Sequence, residues 1–476
     1  MGFTSEIFIF TFLPFTLVIY HLILRHSVYG ALIFLSIASL TFYGWEVPAY
    51  LGLLIGSVSF NWMLSHLIVR TEHRGTHLLA IILSVAGNLG LLGFFKYAGF
   101  FYENFSLAMD AVGIVPDRQS NAFLYDIVLP VGISFYTFQT LSYLIDLYRG
   151  TVKEARSFVE FLCYVSSFPQ LVAGPIVRYA ELREQLAQPR VTRASIELGV
   201  FIFIMGLAKK ALIADSLEPL ASYVFDGNAV QSALVTLAGV GAYTLQLYFD
   251  FSGYSEMAIG MGLMLGFRFP QNFNSPYKAK SVQDFWRRWH MTLSNWFRDY
   301  LYIPLGGNRH GLISKHRNLL ATMALVGLWH GAGWTFVIWG VGHGLALIFD
   351  DYLSRLSKSR TMAILRRVWV LVAVVLLWIP FRAENIEVTG MIFEKIMFNW
   401  GSPNQVISDL IAAPSEAKLS CLVLPFALWG TLRMPNVFEM NSEVGIAKAI
   451  GLCFLLVTSI YVLLARDYVP FIYFQF

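Results

Sequence analysis

Stretches of about 20 mostly apolar residues recur along the whole chain, and they constrain its fold more than any other feature. A bilayer core about 30 Å thick requires about 20 apolar residues for each helix that crosses it. The 476 residues are 57% hydrophobic and only 13% charged, well below the roughly 25% charged residues of soluble domains. No long polar linker separates two halves. We therefore predict an all-α fold, a polytopic transmembrane helical bundle that forms a single membrane domain over residues 1–476.

Hydropathy predicts twelve spans and two apolar stretches that are too short or too interrupted to cross. Pro169, Gly174 and Pro175 interrupt the stretch 157–175, and the stretch 318–330 is short. Such segments are typical of re-entrant structure, which is tolerated at membrane depth only inside protein or beside a water-filled cavity. The twelve predicted spans are 6–24, 29–45, 48–69, 77–101, 126–147, 195–213, 229–249, 251–266, 334–350, 367–381, 418–432 and 445–464.

Basic residues between the spans indicate the orientation of the chain. They are concentrated in the segments 70–74, 149–156, 178–193 and 355–367, and the positive-inside rule places such loops in the cytoplasm. The segment 383–417 carries five acidic residues and one lysine, which is typical of an external loop. The N-terminus lacks the features of a cleaved signal peptide, and we expect it to remain as the first span. Both termini are therefore predicted to be extracytoplasmic.

The region 268–317 combines positive charge with many aromatic residues, having nine Lys or Arg against two Asp. Its part from Asp284 to Tyr300 fits one amphipathic helix, with an aromatic face that includes His290 and a basic face that includes Arg287 and Arg298. A helix of this kind lies in the membrane interface. The position of His290 on the aromatic face, however, makes it a candidate functional residue.

Two histidines are the only ionisable residues in "ALVGLWHGAGWTFVIWGVGHG", residues 324–344. An ionisable side chain within a membrane is a functional candidate, and the unperturbed imidazole pKa of about 6.5 suits proton transfer. We expect a functional role for His330, beside the small residues 331–333. The alternative, a core histidine bonded to a neighbouring helix, stays open. For His343 we expect packing.

Asp250 and Glu256 interrupt another apolar run, 247–267. We expect both to face a cavity, although helix–helix hydrogen bonding stays open. The nucleotide-binding and hydrolase motifs Walker A, HExxH, GxSxG and GxGxxG are absent, so the sequence supports neither an ATP-driven pump nor a serine hydrolase. The three cysteines are scattered, and no spacing indicates a metal site. Nothing points to a nucleic-acid partner.

The motifs around both functional histidines resemble those of the membrane-bound O-acyltransferase family, in the bacterial branch that acetylates exported polysaccharides. The resemblance covers nearly the whole chain and is most specific over residues 240–345. It is carried by "QDFWRRWHMTLSNWFRDYLYIPLGGNR", "GLWHGAGWTFVIWGVGHG", "LPVGISFYTFQTLSYLIDLYRG", "FPQLVAGPIVRY" and "YFDFSGYSEMAIGMGLMLGFRFPQNF".

The resemblance implies re-entrant and interfacial helices around a central tunnel, with the acyl donor entering from the cytoplasm and the acceptor side open to the exterior. It identifies His330 as the catalytic histidine and His290 as a second one. The implied donor is acetyl-CoA, used as a substrate, with no bound cofactor. Cationic side chains can pair with its phosphates, and our candidates are Arg287, Arg288, Arg298 and Arg309. Candidate donors to the oxyanion are Trp329 and Asn295.

The resemblance also concerns the chain end and the partners. Tyr473 in "FIYFQF" matches a tyrosine implicated as an acyl relay, whereas composition alone indicates an aromatic residue at the membrane interface. The family implies the bacterial inner membrane with its lipid, an extracytoplasmic esterase-like (SGNH) partner and a polysaccharide acceptor such as alginate, cellulose or peptidoglycan. Two other functions stay open: D-alanyl transfer from a carrier protein, and a proton-coupled transporter or flippase.

Overall fold

A computed structural model describes residues 1–114, 127–227, 231–356, 359–440, 445–466 and 469–472. It is 78% helical and has no strand among the described residues, which confirms the predicted all-α class. The α-helices in chain order are α1 Leu13–Leu24, α2 Val28–Gly44, α3 Ala49–Arg70, α4 Arg74–Leu92, α5 Ala98–Ala111, α6 Ile133–Tyr148, α7 Phe158–Ser166, α8 Phe168–Leu171, α9 Tyr179–Ala187, α10 Arg193–Ala208, α11 Asp215–Phe225, α12 Ala233–Leu265, α13 Val282–Trp286, α14 Met291–Phe297, α15 Gly311–His330, α16 Trp334–Leu356, α17 Arg360–Arg382, α18 Ile386–Phe398, α19 Pro403–Ala412, α20 Ser415–Arg433 and α21 Ile446–Leu464.

Five described helices are long and apolar enough to cross a membrane, and a sixth span results if α19 and α20, bent by 118°, count as one. The protein is therefore a multi-pass membrane protein, as predicted. The number is lower than twelve because several predicted spans fold into helices of 16 or 17 residues, such as α2, α6 and α10. The five helices are Ala49–Arg70, Arg74–Ala111, Trp334–Leu356, Arg360–Arg382 and Ile446–Leu464.

The chain forms two compact units, residues 1–199 with 258–270 and residues 200–257 with 271–476. In the first unit, α3, α4 and α6 are joined by a buried polar network. The Asn88 amide donates to Asn61 Oδ1 over 2.8 Å, and the Ser84 hydroxyl donates to the same oxygen over 3.0 Å. Polar side chains that bond across helices in this way stabilise membrane bundles.

The second unit contains every candidate catalytic residue that the structure describes. Its centre is the antiparallel pair α15 and α16, joined by residues 331–333. A Cβ atom at Gly340 would lie 2.3 Å from the Met323 carbonyl oxygen, and one at Gly327 would lie 2.2 Å from the Phe336 carbonyl oxygen. The two backbones can approach this closely only because both positions are glycine.

One long helix replaces two predicted spans. The ranges 229–249 and 251–266 were predicted as separate, but α12 continues without a break from Ala233 to Leu265. The charged residue between them does not end the helix, because Asp250 is paired with a buried lysine.

Candidate active site

His330 is the last residue of α15, immediately before the turn to α16. Its ring is 3% exposed and is surrounded by aromatic rings, with centroids 4.9 Å from Trp329, 5.0 Å from Trp339 and 5.2 Å from Phe381. The extended backbone of Gly331 follows it. The helix end thus fixes the imidazole at a defined place in a mostly apolar enclosure.

His290 lies between α13 and α14 in a left-handed conformation with a φ of 42°. This conformation is uncommon for residues other than glycine, and it occurs often at functional sites. It breaks the helix that the sequence predicted from Asp284 to Tyr300, so that prediction of one amphipathic helix is wrong. The break has a physical cause: the Met291 amide donates to the Asn272 carbonyl oxygen over 2.9 Å instead of continuing a helix.

The side chain of Asn272 determines the tautomer of His290. Asn272 Oδ1 accepts hydrogen bonds from the Thr292 backbone N–H and the Thr292 hydroxyl, at 3.3 and 3.0 Å. His290 Nδ1 lies 3.1 Å from the same oxygen and therefore donates to it. His290 is fully buried, and burial lowers its pKa to about 3. The neutral ring thus carries its proton on Nδ1 and a lone pair on Nε2.

The indole of Trp329 lies between the two histidines. Its centroid is 6.1 Å from the His290 ring and 4.9 Å from the His330 ring. The structure therefore places His290, Trp329 and His330, which were selected separately from the sequence, in one cluster of aromatic and imidazole rings.

A cavity of about 580 Å³ lies in the same unit, bounded by α14, α15 and α16 among other segments. Met323 and Val326 line it. They stand seven and four residues before His330, and this spacing puts all three side chains on one face of α15. His330 itself is not among the lining residues, so the described cavity ends one helical turn before the imidazole.

The cavity contains two of the four arginines that were expected to bind phosphate. Arg287 and Arg298 line it, as does Asn295. Arg288 does not, because its guanidinium forms an ion pair with Asp284 at 2.8 Å. Partial burial alone would raise the pKa of Asp284, but hydrogen bonds from Arg288 and the Lys280 backbone lower it below its usual value. Arg309 is exposed and does not line the cavity.

Two further cations in the cavity were not identified from the sequence. Lys315 pairs with Asp351 at 2.8 Å, and Arg366 pairs with Asp350 at 2.9 Å; all four line the cavity. A signal was available for Arg366, because it belongs to the basic segment 355–367, which we used only to orient the chain.

The remaining candidates lie elsewhere in the same unit. Asp250 and Glu256 are buried but do not line the cavity, because each is paired with a lysine: Asp250 with Lys210 at 2.8 Å, and Glu256 with Lys209. We did not select Lys209 or Lys210 from the sequence, although these adjacent lysines stand in an apolar run. Tyr473 lies outside the described residues.

His343 is fully buried beside the catalytic cluster. Its ring centroid is 4.8 Å from Trp339 and 5.1 Å from Trp286, and neither of its nitrogens has a hydrogen-bond partner among the described residues. Ring packing thus accounts for all the contacts that we find for it, as expected from the sequence.

Comparisons with known proteins identify the family of this chain. The sequence model of the MBOAT, membrane-bound O-acyltransferase family matches residues 153–392, a range that includes both histidines. The chain is 38% identical over 517 aligned positions to a probable alginate O-acetylase AlgI of Azotobacter vinelandii, covering 100% of both chains. It is 43% identical to the corresponding protein of Pseudomonas aeruginosa, over 84% of this chain and 76% of that one.

A relative named for a different substrate is also similar over nearly its full length. The peptidoglycan O-acetyltransferase of Helicobacter pylori is 33% identical, over 100% of this chain and 97% of that protein. The family match and these full-length similarities lead to one conclusion: the chain belongs to the membrane-bound O-acyltransferase family and is an acyltransferase enzyme.

Proposed function

We propose that this protein takes acetyl groups from cytoplasmic acetyl-CoA for the O-acetylation of an exported polysaccharide. The observation that carries the proposal is the cavity: it combines cationic side chains with an apolar wall that continues along α15 towards His330. Relatives named for the acetylation of alginate and of peptidoglycan support a polysaccharide as the acceptor.

In this proposal the cavity receives the acyl donor. Arg287 and Arg298 pair with the phosphates of the coenzyme, since guanidinium groups bind phosphate in a bidentate manner. The apolar side chains of Met323 and Val326 then border the path of the thioester. A side-chain movement next to Val326 opens the last helical turn, so that the thioester carbonyl reaches His330.

His330 acts as the general base in the proposed reaction. It accepts the proton of the attacking hydroxyl group while the hydroxyl oxygen forms a bond to the thioester carbonyl carbon. The C–S bond then breaks, and the coenzyme leaves as a thiolate that takes the proton back from the imidazolium. A positioned general base contributes about 10² to 10⁴ in rate, and the surrounding rings exclude the water that would otherwise hydrolyse the thioester.

His290 and Trp329 have supporting roles in the proposed mechanism. The Nε2 lone pair of His290 accepts a hydrogen bond and orients a hydroxyl group near the cluster. The Trp329 indole N–H, or the amide of Asn295 on the cavity wall, donates to the oxyanion of the tetrahedral intermediate. Such donors typically contribute about 10² to 10³ in rate.

The proposal includes a direction and a partner. Acetyl leaves the protein on the extracytoplasmic side of the bacterial inner membrane, where an esterase-like (SGNH) protein passes it to the polymer. This direction follows from the basic segments that the positive-inside rule places in the cytoplasm. Tyr473 as a covalent relay belongs to the same proposal.

The proposal is tested by following CoA thiol release and acetyl transfer with the purified full-length protein in nanodiscs. We expect His330→Gln to lower both rates by at least about 10², because glutamine keeps polarity and approximate size but cannot act as a base. The variant should elute and unfold like the wild type. The exposed residue His26 provides the control, and His26→Gln should retain full activity.

A His330→Gln variant that releases CoA at more than a third of the wild-type rate would contradict the assigned role. Transport of protons or a polar solute in liposomes, without consumption of acetyl-CoA, would replace the enzymatic proposal by the transporter alternative.

A further inference from the structure

A buried ionic cluster occupies the second unit, separate from the cavity. Lys210 is 1% exposed, and its ammonium group lies 2.7 Å from Asp215 Oδ1 and 2.8 Å from Asp250 Oδ1. Removing three charged groups from water is costly unless they are well paired and hydrogen-bonded. A buried ionic cluster in a membrane protein is therefore a candidate for a role beyond helix packing.

The cluster binds the backbone of the chain's last described segment, residues 469–472. The Ile472 N–H donates to Asp250 Oδ2 over 3.0 Å, and the Lys210 ammonium donates to the Pro470 carbonyl oxygen over 3.4 Å. Between these two contacts the Phe471 ring lies 4.7 Å from the Lys210 ammonium and 4.8 Å from the Tyr254 ring. The segment is thus held by two backbone hydrogen bonds and by two contacts of the Phe471 ring.

A second contact lies just before this segment. The Arg466 guanidinium donates to the Ser216 hydroxyl over 3.1 Å, next to Asp215 in the sequence. Arg466 also lowers the charge imbalance of the cluster, which otherwise contains two carboxylates and one ammonium. Without the chain end, Asp250 would lose a hydrogen bond and the cluster would lose a nearby cation.

The same turn of α12 faces both the chain end and the catalytic cluster. Asp250 and Tyr254 contact residues 471–472, whereas the Phe251 ring between them lies 4.7 Å from the ring of His290. A single helical turn thus contacts both the segment 469–472 and His290.

From these contacts we propose that the Lys210–Asp215–Asp250 cluster is a docking site for the C-terminal segment, and that Lys210 and Asp250 are positioning residues for the acyl transfer. Docking fixes the position of residues 469–472 and holds α12 against His290. The positioning role rests on the proposed acetyl transfer, whereas docking itself does not.

The docking part is tested by carboxypeptidase digestion of the full-length protein in nanodiscs, followed by intact mass spectrometry. We expect Asp250→Asn to release residues 470–472 at least tenfold faster than the wild type, because the amide weakens both the ion pair with Lys210 and the acceptor for Ile472. The matched control is Glu256→Gln, a buried carboxylate on the same helix that pairs with Lys209, whereas the contacts described for the segment involve Asp250, Tyr254 and Lys210. Equal release from the two variants would overturn docking.

The positioning part is tested by two substitutions at Ile472 in the docked segment, with thermal unfolding measured for each variant. Ile472→Pro removes the N–H that Asp250 accepts, and Ile472→Val keeps it. We expect the proline variant to lower kcat for acetyl transfer about tenfold with an unchanged KM for acetyl-CoA, and the valine variant to match the wild type.

The outcomes separate the two proposals. Normal kcat in Ile472→Pro would overturn the positioning role while leaving acetyl transfer intact. A wild-type protein that transfers no acetyl would overturn the proposed function, and the digestion experiment would still decide whether the segment docks.

Discussion

At the scale of single residues, the orientation of one imidazole depends on one amide oxygen. Asn272 Oδ1 accepts from His290 and from two groups of Thr292. A typical hydrogen bond contributes about 0.5–1.5 kcal/mol, and a buried donor that loses its acceptor costs about 1–3 kcal/mol. Asn272 therefore stabilises both the unusual backbone at His290 and the ring tautomer.

This arrangement predicts the effect of replacing Asn272 by leucine. We expect Asn272→Leu to lower kcat about tenfold or more, because His290 loses the acceptor that keeps its proton on Nδ1. Steady-state kinetics in nanodiscs check this. The control Thr292→Val removes one hydrogen bond to the same oxygen but leaves the His290 contact, and its kcat should fall much less. If kcat fell equally in the two variants, altered local packing rather than the His290 tautomer would explain the effect.

The sequence led to both histidines but not to Asn272. His330 and His290 stand out because an imidazole in aromatic, apolar surroundings is unusual. Asn272 is 18 residues from His290, and the backbone of His290 at this contact has a positive φ. Nothing in the local pattern of a histidine flanked by Trp289 and Met291 indicates that conformation.

At the scale of elements, the position of His330 depends on how closely α15 and α16 pack. Gly327 in α15 and Gly340 in α16 let the two helices approach closely. Gly327 stands three residues before His330. Overpacking a tight contact typically costs about 1–3 kcal/mol. An added methyl group at this crossing would separate the helices near their junction and move the imidazole.

We therefore expect Gly340→Ala to lower both stability and activity. Its Cβ would lie 2.3 Å from a backbone oxygen, which cannot move aside as a flexible side chain can. Thermal unfolding followed by tryptophan fluorescence, together with acetyl-transfer assays, measures the two effects. Gly390→Ala in α18 is the control: its Cβ meets nothing within 4 Å, and alanine favours a helix by up to about 1 kcal/mol. A Gly340→Ala variant as stable as Gly390→Ala would refute the packing argument.

Helix existence was easier to predict than helix continuity. The periodicity of 284–300 fits one helix, yet tertiary hydrogen bonds to Asn272 divide it at His290. The second error is the reverse: we predicted two spans that end on either side of Asp250. Helix α12 is continuous at this residue because Lys210 neutralises its charge. Both errors come from partners that are distant in sequence, which a local pattern does not contain.

At the scale of the whole molecule, the helix α17 separates a basic segment, 355–367, from an acidic segment, 383–417, with opposite predicted locations. Helix α17 is 23 residues long and thus about 35 Å in length, enough to cross a bilayer core. Helix α18, with 13 residues, is about 20 Å long and too short to return. We therefore expect the basic residues at the start of α17 and the acidic segment after it to lie on opposite sides of the membrane.

Cysteine labelling tests this orientation. In a chain whose three cysteines are replaced by alanine, we expect Ser402→Cys to react with an impermeant maleimide in intact spheroplasts, and Ser359→Cys only after permeabilisation. The two changes are matched, because each serine is exposed and caps the helix that follows it. The reverse labelling pattern would invert the predicted topology.

Fold class and family membership could be predicted from the sequence, since both depend on features repeated along the chain: apolar runs and extended motifs around His290 and His330. The number of spans could not. Hydropathy predicts one span in α10 and two in α12, although α10 has only 16 residues and α12 carries two buried carboxylates, Asp250 and Glu256, that pair with lysines.

The paired charges of the cavity have a consequence for turnover. Lys315 and Arg366 already hold carboxylates at 2.8 and 2.9 Å. In the proposed function, a coenzyme phosphate that reaches Lys315 or Arg366, beside Arg287 and Arg298, must displace Asp351 or Asp350 from its cation. Such an exchange limits the net gain in binding free energy, and after each reaction the carboxylates compete for the cations again. In the proposed function, the coenzyme left after the reaction should therefore have a short residence time, which frees the cavity for the next acetyl-CoA.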